Sequence, residues 1–282
     1  MPADPLPLRI TPAPNPVDQT IEPLLGASLT NAWVADDATV QASRSVRGRL
    51  LERLAVSRAA STAMVTARPR RLAATPLAPG VAGRLLYATQ AGRPPRPGEP
   101  LRTLLVDLQP GSRWQEPDAA CHREWLVLRG QAHIGEERLQ LRDYHAAPAG
   151  SAPRTVSSED GAWLFLRESA LAAGPGDAPF SVRDADAGWP EFAPGIRRRV
   201  LWQRGGQAAL LYHAQPGAAV PRHRHGHDEE CLMVQGELFL DDLLLQAGDY
   251  QLAPAGTGHG ITETDTGVVI YAHGDLDLQF VA

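Results

Sequence analysis

The run Pro221 to Glu230, PRHRHGHDEE, sets three histidines at alternate positions ahead of three acids. Imidazole nitrogens and carboxylate oxygens are donors for a divalent transition metal. A solvated polar loop can have the same composition, so spacing has to decide between the two. Residues two apart in a strand share a face, so His223 and His225 can offer two imidazoles to one point. A turn at Gly226 lets Glu229 return a carboxylate from the next strand, although Asp228 and Glu230 compete for that role. Downstream, Gly248, Pro254, Gly256 and His259 follow in order, and His259 supplies a distant partner.

The elements that must hold these groups read as short β-runs cut by Gly and Pro. They include RTLLVDL, WLVLRG, AWLFLRE, AALLYHA, CLMVQGELFL and GVVIYAH. Frequent turn signals between short strands predict an all-β sandwich or barrel. Residues 1–38 form a Pro/Ala-rich arm without periodicity. Asp36 and Asp37 then look like helix caps, and one helix is predicted from Val40 to about Arg58, within a linker over 39–60. Val46, Leu50, Leu51 and Leu54 share its apolar face.

The β-region repeats itself. Gln109-Pro110-Gly111 returns as Gln215-Pro216-Gly217, an offset of 106, and the same offset joins Asp143-Tyr144 to Asp249-Tyr250. It also joins Ala147-Pro148-Ala149-Gly150 to Ala253-Pro254-Ala255-Gly256. Ala78-Pro79-Gly80 resembles Ala193-Pro194-Gly195 at a larger offset, which fits an insertion around AGRPPRPGEP. One module is duplicated, with the break near Ala172 to Pro179. In the first copy Pro117, Ala119, Arg123 and Pro153 stand where the second has His223, His225, Glu229 and His259. Glu124 answers to Glu230, so Glu230 reads as structural and Glu229 as the functional acid.

Composition excludes several classes. The net charge is −5 and all 27 basic side chains are arginine, with no lysine. A general nucleic-acid binder would show a basic face, and Schiff-base or P-loop lysine chemistry is ruled out. Cys121 and Cys231 form neither CxxC nor a disulfide framework. No signal peptide and no apolar run of about 18 residues is present. Cytoplasmic location follows as the expectation, with neither nucleic acid nor membrane as a partner.

The pattern G-x5-H-x-H-x3-E-x6-G, then G-x5-P-x-G-x2-H, is met from Gly217 to His259 and resembles the cupin superfamily. That resemblance implies two tandem cupin domains, each a double-stranded β-helix or jelly roll. The first, 61–174, is degenerate and metal-free; the second, 175–282, binds metal. His223, His225, Glu229 and His259 would hold one divalent ion, zinc or iron first, with manganese, nickel or copper open. Glu230, Cys231, Tyr212, Tyr271 and His273 are candidates to support the site from behind, and Glu229 is the candidate proton acceptor. His227 and the pair Cys121–His122 read as loop residues, and Met233 as core.

Within the superfamily, PRHRHGHDEECLMVQGELFLDD with GDYQLAPAGTGH resembles the ChrR-type cupin. Proteins of that type are zinc-binding anti-sigma factors that respond to oxidative stress. Their sigma-binding part is a helical domain with its own His/Cys motif. Residues 1–45 here hold neither histidine nor cysteine, so a sigma factor is not the expected partner. The resemblance implies a stress- or ligand-responsive metal sensor, acting with a small molecule or oxidant and forming a homodimer. The alternative is a metal-dependent dioxygenase for a small chelating carbonyl compound.

Overall fold

The computed structural model describes residues 45–52, 54–55, 62–90, 92, 94–117 and 120–281. The arm over 1–38, its Asp36 and Asp37, and Ala119 lie outside the described residues. The chain forms two compact units, Met1–Val56 and Ser57–Ala282. In the first, residues 45–52 and 54–55 are helical, inside the expected helix. On its apolar stripe Val46, Leu50, Leu51 and Leu54 are all exposed. No helix among the described residues is long and apolar enough to cross a membrane.

The second unit is a tandem jelly roll of antiparallel sheets. A seven-stranded and a four-stranded sheet build the first barrel; a ten-stranded and a three-stranded sheet build most of the second. Three apolar clusters explain the strand sequences. Along Pro100–Leu108, Leu104, Val106 and Leu108 enter the first barrel with Trp125 and Leu164. Leu105, of opposite parity, joins Phe165, Leu211 and Tyr271 in a cluster shared by the two halves. The second barrel encloses Leu210, Met233, Leu245 and Ile270. Strands buried on both faces read as nearly continuous apolar runs, as TLLV and LFL do.

Each half also lends a strand to the other. Val65–Ala67 pairs with Tyr250–Ala253, and Phe180–Val182 pairs with Tyr144–Ala147. The expected boundary at 174/175 falls just ahead of this second loan. Equivalent anchors follow both strands. Arg68 donates to Asp249 Oδ2 at 3.0 Å and to the Leu244 carbonyl at 2.9 Å. Arg183 donates to Asp143 Oδ2 at 3.4 Å and to the Arg138 carbonyl. The next backbone N–H, that of Asp184, reaches Asp143 Oδ1 at 2.7 Å. Its equivalent is Pro69, which has no N–H, and Asp249 Oδ1 is accordingly buried without a partner.

The shared face contains a charged centre. Arg167, Glu124 and Glu230 are each no more than 2% exposed. The Arg167 guanidinium meets Glu124 at 2.8 Å, bonds Glu230, and donates to the Gly98 carbonyl at 2.7 Å. Tyr144 and Tyr271 donate to Glu124 at 2.7 and 3.0 Å. Tyr250 and Thr103 donate to Glu230 at 2.7 and 3.0 Å. Removing one member of such a group leaves charge stranded in low dielectric. Arg167→Met should therefore cost about 3–5 kcal/mol in urea unfolding, and adding Glu124→Gln with Glu230→Gln should recover most of it.

Acid should loosen the same face. Burial and the facing Arg167 hold the His273 imidazole down to about 3. Burial alone would raise Glu124, but His273, Arg167 and the Tyr144 hydroxyl outweigh it and hold the carboxyl at about 2. In the unfolded chain these groups titrate near about 6.5 and 4.3. As pH falls, the unfolded state takes up protons first, so both contributions are complete at neutral pH and disappear on acidification. Urea midpoints should fall from pH 6.5 downward, and His273→Asn should flatten the limb between there and about pH 3.

Candidate metal centre

Four side chains converge on one end of the second barrel. His223 and His259 face each other across a two-residue ladder, His223–Arg224 against Gly258–His259. His225 follows on the same face as His223, and Glu229 opens the long strand Glu229–Leu240. Donor atoms of His223, His225 and Glu229 lie within 4.8 Å of one another. The His259 ring completes the cluster, its centroid 5.0 Å from His225 and 5.7 Å from His223. His225 Nε2 stands 3.6 Å from Glu229 Oε1.

Hydrogen bonds behind the rings set their tautomers. His223 Nδ1 lies 3.1 Å from the Pro221 carbonyl, which can only accept. The Thr257 hydroxyl spends its proton on the Pro254 carbonyl at 2.5 Å, so His225 Nδ1, at 3.2 Å, donates to it. His259 Nδ1 faces Asp241 Oδ2 at 3.4 Å. In the neutral tautomer these bonds select, each ring carries its lone pair at Nε2, the arrangement a metal requires. His225 Nε2 is buried and has no hydrogen-bond partner. Burial, with the neighbouring His259 and His223, lowers the His225 pKa against the pull of Glu229. A buried, neutral, unpartnered imidazole nitrogen beside a carboxylate fits a cation.

The ligand end opens into a cavity of about 70 Å³. Its walls are largely apolar, from Leu210, Leu238, Leu240 and Ile270, with His223, Glu229 and His259 at one end. A single water needs about 10–15 Å³ on this measure, so a small molecule fits. Tyr212 and Cys231 line the cavity. The Cys231 thiol donates to Glu229 Oε1 at 3.4 Å. Asp275 also lines it, accepting from the Gly226 N–H at 2.5 Å and holding His227 Nδ1 at 2.5 Å.

The remaining candidates lie elsewhere. Glu230, Tyr271 and His273 turn to the face between the barrels, where Glu230 meets Arg167 and Tyr271 meets Glu124. His273 stacks on Trp202 and stands 3.5 Å from Glu124. Register explains this. Cys231 pairs with Ala272, so Ala272 and Gly274 take the cavity side and Tyr271 and His273 the other. Of Cys121 and His122, read as loop residues, both are buried, and His122 opens the strand His122–Gly130 and packs on Trp202. Sequence reasoning missed Asp241, Thr257 and Asp275, which orient histidines from other segments.

Residues 177–277 match the model of the ChrR cupin-like domain. The chain folds as two tandem cupins, and its second half is similar to that family. No curated protein matches it in sequence. Among solved structures, a presumed dioxygenase from Nostoc punctiforme shares 16% identity at a TM-score of 0.62, covering 78% of this chain and 85% of its own. Oxalate decarboxylase from Bacillus subtilis shares 15% identity at a TM-score of 0.55, with 75% and 76% covered. A presumed glyoxylate-induced protein from Pseudomonas aeruginosa shares 13% at a TM-score of 0.57, with 75% and 84% covered. At these identities the likeness is one of fold.

The first cupin fills the corresponding place with protein. Glu116 takes Arg123 at 2.8 Å, the Trp125 indole at 3.0 Å and the Arg154 N–H at 2.9 Å. Arg123 answers to Glu229 and Trp125 to Cys231, so an ion pair and an indole occupy what is a candidate ligand and open space in the second cupin.

The ligand ladder tolerates no side chain at Gly258, whose Cβ would lie 2.2 Å from the His223 carbonyl oxygen. Gly258→Ala should part the two short strands and cost about 1–3 kcal/mol in thermal unfolding. NMR spectra of the histidine rings should show His223 and His259 displaced while the first cupin keeps its signals.

Proposed function

We propose that His223, His225, Glu229 and His259 hold one divalent metal ion, and that the cavity beside it binds a small, mostly apolar carbonyl compound for metal-dependent oxidation. The cavity carries this reading. A purely structural ion has no use for an adjoining chamber, since closed structural sites leave no open position. Bound there, a divalent ion would supply Lewis acidity and, if redox-active, a meeting point for substrate and O₂.

The chain's own residues supply the rest. Leu210, Leu238 and Ile270 exclude water and set the size of the bound molecule. Burial, then the Glu229 charge, raises the Tyr212 pKa, which keeps a phenol proton in the cavity wall. The Tyr212 hydroxyl is buried without a hydrogen-bond partner, although Arg198 stands near it. Glu229 is the carboxylate placed to take a proton from a bound enolisable carbonyl compound. Asp275 and His227 form a polar pair at the rim, where the His227 side chain is 38% exposed. Action in the cytoplasm and assembly as a homodimer belong to the same proposal.

A sensor is the second reading, favoured by the short Cys231–Glu229 contact, through which oxidation of sulfur would disturb a ligand. Burial and the Glu229 carboxylate push the Cys231 thiol well up. Oxidation proceeds through thiolate, so this environment favours the cavity reading over the sensor.

Iron-loaded protein should consume O₂ with members of a panel of 1,3-diketones and 2-hydroxy ketones. Leu210→Trp should abolish turnover while leaving metal content unchanged. Loss of metal on peroxide treatment, without O₂ uptake on any panel member, would move the assignment to the sensor.

A further inference from the structure

The internal repeat makes two equivalent grooves at the barrel junction, one closed by the chain and one open. Arg199 and Arg84 mark them: Arg199 pairs with Leu211 across its ladder as Arg84 pairs with Leu105. In the closed groove Arg199 donates to Asp184 at 2.7 Å and to the Gly188 carbonyl at 2.7 Å. Its guanidinium lies 4.2 Å above the Trp189 ring. Asp184 also takes Arg142 at 2.7 Å, and Trp189 sits edge-on to His213 at 5.6 Å. A carboxylate and an indole thus satisfy this arginine.

In the open groove each filler is gone. Pro69 replaces Asp184, Ala74 replaces Trp189, and Gly248 replaces Arg142. The space left is about 700 Å³ and reaches Arg84, Asp107, Trp163 and Asp249. That volume is in the range of small-molecule sites, about 300–1,000 Å³. Among the described residues the side chains of Arg84 and Asp107 make no hydrogen bond or ion pair, and neither residue is among those with further contacts. Asp249 Oδ1 is buried and unpartnered. Trp163 stands where the closed groove has Val269 and is 41% exposed.

We propose that this groove is a second binding site, separate from the metal centre, for a small aromatic carboxylate. The carboxylate takes Arg84 as Asp184 takes Arg199, by charge-assisted hydrogen bonds. The ring lies against the guanidinium and Trp163, as Trp189 lies against Arg199. An amino group on the same molecule meets Asp107, so aromatic α-amino acids bind more tightly than their deaminated analogues.

Calorimetric titration of the full chain with L-tryptophan and with indole-3-propionate tests this. Both should bind saturably, the amino acid more tightly, and Arg84→Gln should weaken both at least tenfold. Pro69→Asp with Ala74→Trp rebuilds the closed groove from its own internal template and should block binding. That variant decides the matter if Arg84→Gln fails to fold. Absence of binding to the native chain, or affinity unchanged in the folded variants, overturns the proposal.

Discussion

Side chains along the strand that opens with Glu229 and Glu230 alternate between two different spaces, and the rest of the molecule depends on that alternation. One acid faces the barrel interior with His223, His225 and His259. Its neighbour faces the junction and meets Arg167. A one-residue slip would send a charge into the wrong place on both sides at once. Register is held from both directions: by Tyr250, which bonds Glu230 at 2.7 Å, and by Gly274, which leaves room for Glu229. The buried ionic centre is therefore as much a register device as a source of stability, consistent with the poor net return of buried ion pairs.

Duplication made such a design possible twice, and divergence used it once. The junction needs both copies, so Glu124 and Tyr144 persist beside Glu230 and Tyr250. The barrel interiors carry no such mutual obligation. In the first, Glu116, Arg123 and Trp125 satisfy one another and fill the volume. In the second, small Cys231 and Gly274 leave a chamber beside four polar groups. The same freedom separates the two junction grooves, one sealed by Asp184 and Trp189, the other left open around Arg84.

The β-character, the repeat, and the convergence of His223, His225, Glu229 and His259 were legible in the sequence, because motif spacing and strand parity are local quantities. The structural role of Glu230 was legible too, through its echo at Glu124. Long-range register was not. Tyr271 and His273 sit one step out of phase with Cys231, and only the pairing of Cys231 with Ala272 reveals it. The histidine-orienting roles of Asp241 and Asp275 depend on loops meeting across the barrel mouth, which no spacing rule encodes. Nor does periodicity disclose strand exchange, since Val65–Ala67 and Phe180–Val182 are too short to name a partner. The helix over Val46 to Leu54 was legible from its spacing, and its apolar stripe is exposed.

The most direct test of the metal assignment is an anomalous difference map, from crystals of protein purified without added metal, collected at the absorption edge of whatever ion elemental analysis finds. One peak per chain, bonded to the ring nitrogens of His223, His225 and His259 and to Glu229, is the predicted result. A peak in the first cupin near Glu116, or none in either barrel, would contradict it.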